Sequence, residues 1–159
     1  MNNNFLEIPA IEVNQPLGTF YVTSIKAQDL IEISFSEELQ YIDENGKVKG
    51  SQRELNEKRL KEIARYIDSV ELAFPNSIIL AANLDNRTGE IVEDEQEIWR
   101  FKKNPEDGTG KLIIPKKKRL AAIIDGQHRL RAFQYVSNKE RKQVELICSI
   151  YFDLPNSYQ

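Results

Sequence analysis

Apolar and polar side chains alternate from Phe5 to Val13, with Phe5, Ile8, Ile11 and Val13 apolar and Pro9 interrupting. A two-residue period predicts a strand. A proline within it, lacking a backbone donor, predicts an edge position. Gly18 then precedes Thr19-Phe20-Tyr21-Val22-Thr23, β-branched and aromatic residues that predict a second strand. Ala27 to Ile33 has the spacing of a short helix that turns Leu30, Ile31 and Ile33 inward. Asn45-Gly46, between Tyr41-Ile42 and Val48, marks a turn or short hairpin.

The period changes to that of a helix over Leu55 to Leu72. Leu60, Ile63, Ala64 and Ile67 share one face, and Glu57, Lys58, Lys61, Glu62 and Arg65 share the other. Glu57 and Lys61 form a favourably oriented i,i+4 pair, and Pro75 closes the segment. Ser77 to Ala82 reads as a buried strand and Asn86 to Gly89 as a polar turn. Ile98 to Phe101 is a further strand, and Asn104 to Gly110 is a turn that leads into another at Lys111 to Ile114. Leu120 to Ile124 is a short apolar strand broken by Asp125-Gly126. Gln127 to Tyr135 returns to helical spacing, with Leu130, Phe133 and Val136 on one face. Val144 to Phe152 is a last strand carrying Leu146, Cys148, Ile150 and Phe152 on one side. Strands interleaved with helices predict an α+β (mixed α/β) fold, a mixed sheet with helices packed on it.

Composition narrows the class. The chain has 159 residues, 40% hydrophobic and 30% charged, enough for one buried core, so residues 1–159 read as a single domain. No apolar run is long enough to span a membrane, and the Met1-Asn2-Asn3-Asn4 start lacks the basic-then-apolar order of a signal peptide. One cysteine, Cys148, and one histidine, His128, exclude an intrachain disulfide, a Cys-based zinc site and a multi-His site. The expectation is a cytoplasmic protein of a reducing compartment.

Charge is unevenly spread. Arg100 to Lys142 holds 13 Lys and Arg against 4 Asp and Glu, a net of +9, which leaves −12 to the rest of a chain of net −3. Such a basic segment in an acidic chain suits a phosphate-rich ligand. Lys111 and the run Lys116-Lys117-Lys118-Arg119 would extend that basic surface toward a nucleic-acid backbone, or stand as a solvated loop. Gly108-Thr109-Gly110-Lys111 lacks the full P-loop pattern and reads as a hairpin turn.

The strand-to-helix junction at Asp125-Gly126-Gln127-His128-Arg129 carries the candidate chemistry. An apolar strand, a glycine turn and an immediate helix form a phosphate-binding geometry, because the free amides of the first turn and the helix dipole both favour an anion. Gly126 permits positive φ and close backbone approach. Arg129 offers a planar fork of donors suited to phosphate oxygens, or pairs with Asp125 or an acid on the Leu55–Leu72 helix. His128 can donate a hydrogen bond or move a proton near neutral pH. Asp125 can cap the helix, hold a magnesium ion or orient a water.

The run Ile123-Ile124-Asp125-Gly126-Gln127-His128-Arg129-Leu130-Arg131-Ala132-Phe133 resembles the signature of the DGQHR-domain family, which includes DndB-like regulators associated with DNA phosphorothioation. Gln52-Arg53-Glu54-Leu55-Asn56, Arg59, Ile63 to Ile67 and Phe74 to Leu80 match the family's upstream block, so the resemblance runs from about Gly50 to Leu154. It implies a ParB/sulfiredoxin-like domain in which Gly126-Gln127-His128-Arg129 holds phosphates and Gln52 and Arg53 face the turn. Sulfiredoxin-like enzymes carry a catalytic Cys where this chain has Gln127, so sulfinic acid reduction is not expected. The family continues into a helix after the final strand, which implies that this chain is the N-terminal part of a longer protein.

Two functions follow from the resemblance, and a plain reading stands beside them. The first is a DNA-binding regulatory module of a bacterial DNA-modification or defence system, acting in transcription regulation. The second is a ParB-like nucleotide-binding or NTP-hydrolysing domain. There a nucleoside triphosphate with magnesium would sit on Asp125, Arg53 and Arg129, with Asp125 and His128 catalytic. The third is an interaction module whose DGQHR turn is architecture. DNA is the expected partner, with a nucleotide or a second copy of the chain as further ones and no membrane.

Overall fold

The computed structural model describes residues 4–36, 40–42, 48–50, 57–69, 72–86, 88, 90–92, 97–116 and 118–152. In chain order the elements are β1 (Phe5–Gln15), β2 (Gly18–Lys26), α1 (Ala27–Ile33), β3 (Ser34–Ser36), β4 (Gln40–Ile42), β5 (Val48–Gly50) and α2 (Glu57–Ile67). There follow β6 (Ile78–Ala82), β7 (Arg100–Lys103), β8 (Thr109–Pro115), β9 (Ala121–Asp125), α3 (Gln127–Ala132) and β10 (Glu145–Phe152). One sheet has the order β3-β9-β6-β10-β2-β1-β8-β7, while β4 and β5 pair separately. The pairs β10–β6 and β3–β9 are parallel and the remaining neighbours antiparallel, so the sheet is mixed, as expected for this interleaving. No described helix is long and apolar enough to cross a membrane.

β1 is not the edge strand that Pro9 predicted, since it lies between β2 and β8. Pro9 sits opposite Lys111 of β8, and the β1–β2 ladder begins only at Ile11–Val22. The Thr23 hydroxyl donates to the Pro9 carbonyl at 2.6 Å, so the backbone of Pro9 faces β2 at a point where no ladder bond needs its nitrogen. The true edges are β3, which is three residues long, and β7, which carries Arg100, Lys102 and Lys103. Shortness and positive charge both discourage pairing with another chain.

One face of the sheet holds the core. Leu80, Leu112, Leu146, Cys148 and Ile150 point inward and pack with Leu30 and Ile33 of α1, Leu60 and Ile67 of α2, and Leu130 of α3. The apolar faces of α1 and α2 are those the sequence predicts, and Glu57 and Lys61 meet at 3.5 Å. α2 is shorter than Leu55 to Leu72. Beyond Ile67 the Ser69 amide and hydroxyl both bond to the Tyr66 carbonyl, at 3.0 and 2.6 Å, which tightens the last turn and ends the helix. Leu55 and Asn45-Gly46 lie outside the described residues, while β4 and β5, which flank the latter in sequence, pair antiparallel.

β7 begins two residues after Ile98, because the backbone of Trp99 is already taken. Buried Asn83, at φ 66, accepts from the Trp99 amide at 2.7 Å and donates to its carbonyl at 3.1 Å. Residues 116–120 join β8 to β9 across five interstrand gaps, about 24 Å in a flat sheet, whereas six extended steps reach only about 20–22 Å. The sheet therefore curls, bringing its two ends toward one another around the core.

Candidate functional site

The DGQHR junction forms where β9 runs out beside β6. Asp125 is the last residue of β9, exposed and in register with Ile79. Gly126 takes φ 100 and ψ 10, caps the helix with its backbone and receives no side-chain cap, so Asp125 does not act as the N-cap. The Leu130 amide bonds to the Gly126 carbonyl at 3.2 Å, which starts α3 immediately. A side chain at 126 would place its Cβ 2.9 Å from Ile78 Cγ1 and 3.1 Å from Arg129 Nη2. Gln127 and His128 lie half-buried on the first turn.

Arg129 pairs neither with Asp125 nor with an acid of α2. Its Nη1 donates to the Asn76 carbonyl at 2.7 Å and its Nη2 to the Ser77 carbonyl at 3.1 Å. The planar fork thus fastens α3 to the segment entering β6. Gln52 and Arg53, the residues expected to face this turn, lie outside the described residues. Among the described residues Asp125 belongs to no group of three or more His, Cys, Asp and Glu side chains able to hold a metal ion.

Cys148 lies beneath this corner, opposite Ile78 across the β10–β6 pair. Burial pushes its thiol up from an ordinary 9.0 to about 12, partly opposed by the Arg129 charge. The folded chain therefore keeps a proton that the unfolded chain releases above about pH 9. This contribution to stability is whole below that pH and is lost as pH climbs toward 12. Native protein at pH 8 is expected to resist alkylation by iodoacetamide and to react fully in denaturant. Rapid labelling of the native chain would contradict this burial.

The fold divides the basic segment. Lys111 lies on the exposed face of β8 directly opposite Lys102 of β7, with Arg100 two residues along. Thr109 already belongs to β8, so Gly108 to Lys111 is part of a hairpin and not a phosphate loop. A side chain at Gly110 would run into the Lys102 carbonyl and come within 2.5 Å of Phe101 Cζ, which explains that glycine by packing. The Lys116 amide bonds to the Asn4 carbonyl at 2.9 Å, and Lys118 is ion-paired with Glu97. Arg119 donates to the Ile31 and Ser34 carbonyls at 2.7 and 3.0 Å, where its charge meets the C-terminal end of α1. Lys117 lies outside the described residues. The basic run is therefore engaged in the fold at Lys118 and Arg119.

Sequence reasoning placed Asp125 to Arg129 at one strand-to-helix junction, and in the structure β9 ends at Asp125 and α3 begins at Gln127. It did not single out Lys102, although the alternation Arg100-Phe101-Lys102 marks those two cations as sharing a face. It also left Arg131 without a role. Over residues 8–152 the chain matches the model of a family described as DndB, DNA-sulfur modification-associated. No curated protein and no solved structure matches it.

Proposed function

The chain belongs to the DndB, DNA-sulfur modification-associated, family, and from that premise we propose that it is a DNA-binding regulatory module that grips the phosphate backbone. The observation that carries the reading is the cross-strand pair Lys102–Lys111 on the exposed face of the β7–β8 hairpin. Like charges directly opposite one another cost stability. A polyanion laid across them removes that cost and releases counterions. Arg100 extends the row, and the hairpin holds it firmly. The Asn104 amide bonds to the Thr109 carbonyl at 2.9 Å, and the Asp107 carboxylate accepts the Thr109 amide at 2.9 Å.

In this reading the DGQHR turn offers phosphate a second contact through Gln127 and His128, while Arg129 holds the turn in place. A Gly-x-x-Arg junction on a mixed sheet also supports placing the domain with the ParB/sulfiredoxin superfamily.

Fluorescence anisotropy with labelled duplex DNA across a range of salt tests the proposal. Affinity is expected to fall steeply with salt, and the double variant Lys102→Gln/Lys111→Gln to bind about tenfold more weakly, with a log–log slope shallower by about 1.8 for two lost phosphate contacts. An unchanged slope in a folded double variant would remove the hairpin from the DNA surface.

A further inference from the structure

We propose that the cleft between α1, β3 and α3 binds a small phosphate monoester through Arg119 and Arg131, a site separate from the DGQHR turn and independent of the DNA-binding reading. Its volume is about 230 Å³, and two guanidinium groups enter it. Arg119 is fixed by Nη1, which bonds to the Ile31 and Ser34 carbonyls. Arg131 is fixed by Nη2 on the Ser36 hydroxyl. Among the described residues neither has a carboxylate partner and no acid lines the cleft. Closing the end of α1 accounts for Arg119 alone. It does not account for a second arginine brought into the same space with no acid among the described residues to balance it. Two pre-oriented guanidinium groups with unused donors form a fork-like receptor for the oxygens of one phosphate.

The remaining surface fixes the size and nature of the ligand. Ile31, Ile123 and Leu130, which belong to the same core cluster, supply an apolar wall beside the cations, and Gln134 adds an amide at the exposed rim. The cleft is smaller than the roughly 300–1,000 Å³ of sites that bury drug-sized ligands. It suits a phosphate monoester no larger than a mononucleotide and not a polyphosphate chain. Arg129 and Arg131 are two residues apart on α3 and so point to different sides of it. Arg129 reaches β6 and Arg131 reaches β3, which keeps this cleft apart from the turn.

Thermal unfolding of the full chain with a nucleoside 5′-monophosphate or inorganic phosphate, at matched ionic strength, tests the site. Both are expected to raise the melting temperature, the mononucleotide more at equal concentration. Arg131→Gln should abolish the rise. Gln134→Glu alters an exposed rim residue and should leave the unliganded melting temperature in place. By setting a like charge against the anion it should weaken binding about tenfold or more. Phosphate also stabilises proteins generally through exclusion from their surface. A rise that survives both variants, or no rise in the wild type, would therefore overturn the site. Equal stabilisation by the two ligands would overturn the ring-binding role of the apolar wall. DNA affinity that Gln134→Glu leaves unchanged would support the separation from the DNA surface, and a loss there would overturn it.

Discussion

Gly126→Ala is expected to destabilise the fold by about 3–5 kcal/mol, through left-handed backbone strain and overpacking acting together. At φ 100 an L side chain is strained whatever space surrounds it, and here the space is also filled. The new methyl would lie 2.9 Å from Ile78 Cγ1 and 3.1 Å from Arg129 Nη2. Ile78 is buried at the start of β6, and Arg129 is tied to the two carbonyls that precede it. Neither neighbour can retreat without disturbing the β9–β6–α3 corner. Urea or thermal denaturation should show the loss, which at about 2–4 °C per kcal/mol for a domain of this size amounts to roughly 6–20 °C. Gly126→Asn separates the two causes, because asparagine tolerates the left-handed region while its Cβ meets the same atoms. A loss nearly as large in the Asn variant would assign the effect to packing. Wild-type stability in Gly126→Ala would mean that the turn is not held as described.

Local pattern was legible wherever one face of an element met the core. α1 lies at Ala27–Ile33 as its spacing predicts, and β10 buries Leu146, Cys148 and Ile150. Pattern failed where a partner distant in sequence decided the outcome. The edge position read from Pro9 overlooked that a proline is harmless in an interior strand if its backbone faces a gap in the ladder. The later start of β7 depends on Asn83, sixteen residues upstream of Trp99, and no periodicity reports such a capture.

The candidate site divides along the same line. The turn itself was visible, because glycine, strand and helix are contiguous in sequence. The destinations of its side chains were not. An arginine in a Gly-x-x-Arg motif reads the same whether its fork meets a phosphate or two backbone carbonyls, and only the packing of α3 beside residues 76–77 distinguishes them. Lys102 and Lys111 likewise become one feature only through the β7–β8 register.

Arg129→Ala is the variant that tells architecture from binding at this motif. It removes the donors to the Asn76 and Ser77 carbonyls, bonds from a charged group worth about 1.5–3 kcal/mol each when buried. The Asn76 bond lies at the solvent edge and the Ser77 bond is partly buried, so water can replace part of what is lost. A destabilisation of about 2–3 kcal/mol is the expected result by thermal or chemical denaturation. Arg129→Lys should recover less than half of it, because an ammonium keeps the charge but lacks the planar fork that reaches both carbonyls at once. DNA affinity, measured well below the melting temperature, is expected to fall less than in Lys102→Gln/Lys111→Gln. The opposite pattern, an unchanged melting temperature with DNA or nucleotide binding abolished, would return Arg129 to the ligand and make its bonds to residues 76 and 77 a resting place. The two patterns differ in both readouts, since a group cannot hold the corner of the sheet and also be dispensable to its stability.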